Sequence, residues 1–152
     1  MGAVADRLRE LNIRIPPRRS YGEYAGAARA GNLIFVSGAG PIGPDGVVTG
    51  KVGADVDVAT AQEAAKLCVI NCLSALQEEI GNLEDVGRIV KLLGFINSAP
   101  GFNQQHIVMD AASGLLLDLF GDRGMHARSS VGMAELPMNI AVEVEMIVEA
   151  AR

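Results

Sequence analysis

From Leu33 to Val36 every residue is apolar, and turn chemistry bounds the run on both sides. Ala30-Gly31-Asn32 precedes it, and a stretch rich in glycine begins at Gly38. Side chains alternate between the two faces of a strand, so an unbroken apolar strand needs cover on both. The chain has few elements to supply that cover. One long helix is expected from about Val58 to Ile80, with Thr60 and Glu63 at capping-box spacing and Gly81-Asn82 as its stop. A second runs from about Phe102 to Phe120 and is closed by Gly121. Both can lie on only one side of a sheet.

The other elements fill in that sheet. Tyr24 to Arg29 leads into the Ala30-Gly31-Asn32 turn, which makes 21–37 a hairpin. Pro44-Asp45-Gly46 turns into a short strand at Val47-Val48. Further strands are expected within 86–97, 127–134 and 140–149, the last two divided at Leu136-Pro137. Val4, Leu8 and Leu11 have the spacing of a short amphipathic helix within 3–12, ended by Pro16-Pro17. The expected fold is therefore α+β: one mixed sheet, two long helices on one face, and a short N-terminal helix. The opposite face keeps apolar residues at Leu33–Val36 and Leu92–Phe95, and another subunit is the simplest cover.

Composition narrows the function. With 152 residues the chain fits one domain, 1–152, with 1–20 as a helical extension. A mean hydropathy of +0.26 is apolar for this size and again favours self-association. The formal net charge of −5 argues against nucleic acid as a partner, since the basic residues cluster only at Arg7/Arg9 and Arg14–Arg19. Cys68 and Cys72 sit four apart on a helix, the arrangement of two buried thiols; His106 and His126 are too distant in sequence to suggest a metal site. The N-terminus lacks the long apolar stretch of a signal peptide, and no apolar run reaches the ~18 residues of a membrane span. A cytoplasmic protein without metal or cofactor is expected.

Gly38-Ala-Gly-Pro-Ile-Gly43 matches a dinucleotide-binding pattern, but Pro41 removes an N–H and the chain continues into a turn instead of a helix. The last two strands are more informative. In 140–149, Val142, Val144, Met146 and Val148 share one face, leaving Glu143, Glu145, Ile147 and Glu149 on the other. In 127–134, Ser129, Val131 and Met133 oppose Arg128, Ser130, Gly132 and Ala134. If both apolar sets lie under the helices, Arg128, Ser130, Glu143 and Glu145 project together from the helix-free face. Arg128 suits a carboxylate, because a guanidinium presents parallel donors to two oxygens. Glu143 can orient or deprotonate water. An Arg–Glu ion pair that fixes subunit register fits the pattern equally well. Tyr24 reads as a plain strand aromatic or a cleft residue, and His126 as a solvated loop histidine or a neighbour of Arg128.

Tyr24 through Gly31-Asn-Leu-Ile-Phe-Val-Ser-Gly38, then Val86-Gly-Arg-Ile-Val-Lys91, then Arg128-Ser-Ser-Val-Gly-Met-Ala-Glu-Leu-Pro137 leading into Val142-Glu-Val-Glu145, together resemble the Rid family. These are the YjgF-type proteins, often labelled L-PSP endoribonucleases; the N-terminal helix is similar to that of a longer Rid-like subgroup. The resemblance implies a chorismate-mutase-like fold, a homotrimer with clefts between subunits, and hydrolysis of reactive 2-imino acids or enamines to 2-keto acids and ammonia. It implies that Arg128 holds the substrate carboxylate of a small metabolite, Glu143 positions the attacking water, Tyr24 lines the cleft from a strand, and Ser37-Gly38 form its wall. Ser130 stands where the deaminases commonly carry Cys, Ala39 replaces a usual Gln, and Asp110 or His106 is nearest to the family's helix Asn. A non-catalytic binder of keto acids is the rival reading. A nuclease, which the family label suggests, lacks a His/Lys constellation and suits the acidic chain poorly.

Overall fold

The structure, a computed structural model, describes residues 2–151; Met1 and Arg152, the ends of the expected domain, lie outside the described residues. Elements are numbered in chain order. α1 (Ala3–Glu10) stops before the proline pair, because Asn12 turns left-handed at φ 54° and the Ile13 N–H returns to the Leu8 carbonyl. α2 (Val58–Ile80) is capped by Asp57, whose carboxylate accepts the Thr60 N–H at 2.8 Å. The Thr60/Glu63 pair lies within the first turns of the helix, where Glu63 accepts from Lys66. α3 (Gln105–Phe120) begins three residues later than its apolar pattern predicts, since Gly101 and the Phe102-to-Ala99 hydrogen bond form a turn first.

Five strands form one sheet in the order β1-β2-β7-β5-β6: β1 (Ala27–Ala30), β2 (Leu33–Ala39), β5 (Val86–Asn97), β6 (Ala127–Met133) and β7 (Val142–Ala150). β5 and β6 are parallel, and the other neighbours are antiparallel. β3 (Ile42–Gly43) and β4 (Gly46–Val47) form a small hairpin over Pro44-Asp45. The GxGxxG segment therefore runs from strand to hairpin, with no helix opening at it.

α2 and α3 cover one face. Ile34 and Val36 of β2, Leu92 and Ile96 of β5, and Val142, Val144, Met146 and Val148 of β7 are buried there with Leu73, Leu76, Val108, Met109 and Leu116. Each fully buried Leu or Ile contributes about 1.5–3 kcal/mol over its exposed state, so this layer carries most of the hydrophobic stabilisation. Small residues bring α2 close to the sheet. Cys68 and Cys72 donate their thiol hydrogens to the Val142 and Val144 carbonyls at 3.3 and 3.1 Å. Burial pushes both thiols well up from their ordinary pKa and leaves them protonated.

The other face is open in the single chain. Leu33 is 37% exposed, Phe35 45% and Val131 40%, beside half-buried Leu93, Phe95 and Ile147. Only the Ile34 and Val36 side of the first apolar strand is covered.

The expected faces hold for β7 and reverse for β6. Arg128 pairs with Leu92, which lies opposite Met146, so Arg128 is on the helix side; Ser130 follows with Gly94. Ser129 and Val131 share the open face with Leu93 and Phe95. Pattern reasoning placed the apolar set under the helices. An edge strand escapes that rule, because its inward positions lie at the flank of α3, where polar groups find both partners and water.

Candidate functional site

β2 carries an irregularity between Val36 and Ala39, where its pairing to β7 shifts by one residue. Such a bulge bends the strand and re-aims its neighbours. At the bulge Gly38 lies against Glu143: a Cβ there would sit 3.0 Å from the Glu143 carboxyl carbon. The absence of a side chain is what gives Glu143 its space. Burial raises the Glu143 carboxyl above its ordinary value, and the nearby Glu145 charge adds to this. Glu143 makes no ion pair among the described residues.

A cleft of about 610 Å³ opens over this carboxylate, lined by Tyr24, Gly38, Ile140 and Glu143 among others. Tyr24 reaches it from a loop, three residues short of β1, and not from a strand; it is 53% exposed. Ser37 lines the adjoining recess with Tyr24 and Gly38. Its hydroxyl donates to the Ala25 carbonyl at 2.7 Å, and its N–H donates to Gly26, which ties the Tyr24 loop to the bulge. Pro137 and Met138 form another wall. Met138 and Asn139 both have positive φ, 55° and 56°, a conformation that costs non-glycine residues ~1–3 kcal/mol each. Fully buried Asn97 braces that loop, donating from Nδ2 to the Asn139 side-chain oxygen and the Ile140 carbonyl.

Arg128 occupies a separate site at the α3 edge. Its Nη1 donates to Asp110 at 2.9 Å and to Ser113 at 3.0 Å, and Nη2 donates to the His106 carbonyl at 3.3 Å. Three of the five guanidinium hydrogens are thus placed, leaving donors on Nε and Nη2. Both residues expected to stand near the family's helix Asn therefore reach Arg128, Asp110 by its carboxylate and His106 by its backbone.

His126 extends this cluster. Its Nδ1 lies 2.6 Å from the Gly124 carbonyl, which can only accept, so Nδ1 carries the hydrogen. In the neutral ring Nε2 then accepts from the Ser113 hydroxyl at 3.0 Å, while Ser113 accepts from Arg128. Ser130 lies on the same side of β6, its hydroxyl oxygen buried and without a partner among the described residues.

The six candidate residues thus fall into two groups. Tyr24, Ser37, Gly38 and Glu143 gather at the bulge; Arg128 and Ser130 lie across the sheet from them. The expected projection of Arg128 and Glu143 from one face of one chain is corrected by the β6 register. Sequence reasoning also missed Arg19 and Tyr21, which line the cleft from the N-terminal strap, and the Ser113–His126 link. The Arg14–Arg19 cluster was the available signal, but nothing in the sequence shows where an extended strap lies. No group of three His, Cys, Asp or Glu side chains comes together to hold a metal among the described residues. No described helix is long and apolar enough to cross a membrane.

A single five-stranded sheet, two helices on one face and a carboxylate-floored cleft on the other define an α+β protein of the L-PSP fold type. Residues 16–150 match the family described as Endoribonuclease L-PSP, and the chain belongs to that family, known also as Rid or YjgF. Among its relatives, Protein TCP17 of Trypanosoma cruzi is 40% identical, over 97% of this chain and 94% of that protein. A 2-iminobutanoate/2-iminopropanoate deaminase of Dermatophagoides farinae is 27% identical over 84% and 85%. The structure of Atu1372 from Agrobacterium tumefaciens, a protein of unknown function, superposes with a TM-score of 0.91 at 43% identity, covering 97% of this chain and 93% of that one. A structure from Shewanella oneidensis reaches 0.93 at 26% identity, covering 97% and 99%.

Proposed function

We propose that this protein is a hydrolytic deaminase of 2-imino acids and their enamine tautomers, acting in clefts between the subunits of a cytoplasmic homotrimer. The observation that carries the reading is Glu143: a half-buried, unpaired carboxylate with an elevated pKa, on the floor of a cleft sized for a small metabolite. Glu143 takes a proton from water, hydroxide adds to the C=N carbon as the π pair moves to nitrogen, and Glu143 returns its proton to that nitrogen. The resulting carbinolamine passes its hydroxyl proton to the nitrogen as the C–N bond breaks, giving a 2-keto acid and ammonia. Imines hydrolyse unaided, so orientation and one activated water suffice. The deaminase name of a 27%-identical relative supports this chemistry.

Arg128 takes part through assembly. The exposed apolar residues of the open face need a cover, and a second copy bringing its α3–β6 edge there carries its Arg128 toward this chain's Glu143. The guanidinium donors left on Nε and Nη2 then receive the substrate carboxylate. Asp110 already engages Nη1, and this favours a second reading, a trimer that binds keto acids without turnover. The net charge of −5 weighs against RNA as substrate.

One assay separates the two readings. A threonine dehydratase generates the imine, semicarbazide traps what escapes, and light scattering reports the assembly. Accelerated keto-acid release by a trimer supports the deaminase. A trimer that binds keto acid but leaves imine decay at its uncatalysed rate is a binder, and a monomer at micromolar concentration removes the shared cleft.

A further inference from the structure

The strap between α1 and β1 is held on both sides of Arg19. Before it, the Ser74 hydroxyl donates to the Pro16 carbonyl at 2.6 Å, and Pro16-Pro17 restrict the backbone. The adjacent Arg18 lies over Gly26, where a Cβ would come within 2.1 Å of its Nε. Arg18 also donates to the Tyr24 carbonyl and approaches Glu78 at 3.9 Å. Arg18 is therefore a structural clamp. Arg19, the next residue, is exposed, lines the same cleft as Glu143, and makes no ion pair or side-chain hydrogen bond among the described residues.

An unpaired guanidinium carried by a tethered strap at the wall of a cleft floored by a carboxylate, in a chain of net charge −5, is a local attractor for anions. In the single chain the cleft encloses about 610 Å³, within the ~300–1,000 Å³ of small-molecule sites. In the proposed assembly a neighbour's Arg128 already receives the carboxylate next to the imine carbon, so Arg19 is left for a different group on the substrate.

We propose that Arg19 is a specificity-determining anion contact of this cleft, and that the preferred substrates are 2-imino acids carrying a second carboxylate. The assignment of two carboxylates rests on the deaminase reading of the site; the anion contact itself does not.

Calorimetric binding of two stable keto acids tests it: 2-oxobutanoate, with one carboxylate, and 2-oxoglutarate, with two. Arg19→Ala and Arg19→Gln raise the Kd for 2-oxoglutarate about tenfold or more, the scale of one charge-assisted contact, and leave 2-oxobutanoate within about twofold. Equal weakening of both acids, no change in either, or no binding of 2-oxoglutarate by the wild type each overturns the proposal. Arg128→Ala, measured alongside, weakens both acids if the site is assembled as proposed. Should Arg128→Ala leave both unchanged while Arg19→Ala discriminates between them, the assembly reading fails and the Arg19 contact stands.

Discussion

Arg128 and Glu143 carry opposite charges and are held in opposite ways. Around Arg128, two side chains and one carbonyl accept three of its hydrogens, and Ser113 passes the orientation on to His126. Glu143 makes no ion pair among the described residues, a second carboxylate stands two residues away, and a glycine makes the space it needs. One group is fixed by its partners. The other is kept in an environment that disfavours its charge, as suits a proton acceptor but not a structural anchor. The difference separates positioning from chemistry before any ligand is considered.

The largest effect is expected at the unpartnered carboxylate. Glu143→Gln keeps size and shape but loses the basic oxygen, so kcat for imine hydrolysis should fall ~10²–10⁴-fold with little change in keto-acid Kd. Full activity with the assembly state unchanged would end the catalytic assignment. The same variant should gain thermal stability at neutral pH. Because the folded pKa lies above the ordinary 4.5, the native state holds this proton more tightly than the unfolded chain. Stability contributed by the protonated form is present below pH 4.5 and lost as pH rises through the folded pKa. Melting curves should show the advantage of Glu143→Gln at pH 7 and not at pH 4.

At the well-partnered site, Arg128→Ala should weaken 2-oxobutanoate at least ~10-fold, and Arg128→Lys should restore little because an ammonium cannot reproduce the fork. The fold itself should lose only ~0–1 kcal/mol, since Asp110 is largely solvated. Between the two sites, Asn97→Ala should cost about 1–3 kcal/mol in urea unfolding by leaving the left-handed loop unbraced. The smallest effect is spectroscopic. In the neutral ring, nitrogen chemical shifts should place the His126 hydrogen on Nδ1, and Ser113→Ala should perturb Nε2 more than Nδ1.

Much of this contrast could be read from residue order. The strand of alternating Val142, Val144, Met146 and Val148 has only one buried solution, and Glu143 follows on the other face. β6 was ambiguous for a physical reason: Ser129, Val131 and Met133 look like a core face, but the parallel register with β5 and the reach of Arg128 to α3 decide the matter, and neither is written locally. Gly38 was legible as a cleft residue only by resemblance, because its physical role is to leave room for a side chain 105 positions later, Glu143 on another strand. The strap was least legible, as prolines specify stiffness but not destination.

The order β1-β2-β7-β5-β6 places the last-made of the five strands in the middle. During synthesis the β1–β2 hairpin and the β5–β6 pair can each form, but neither meets the other until β7 has emerged between them. Until then both present unpaired backbone edges, the features that promote aggregation of nascent chains. Glu143 and its cleft come into being only in that final step, so a partly made chain has two half-sheets and no site. Truncations that remove β7 should behave as insoluble fragments, whereas changes confined to α1 should leave the sheet to close as before.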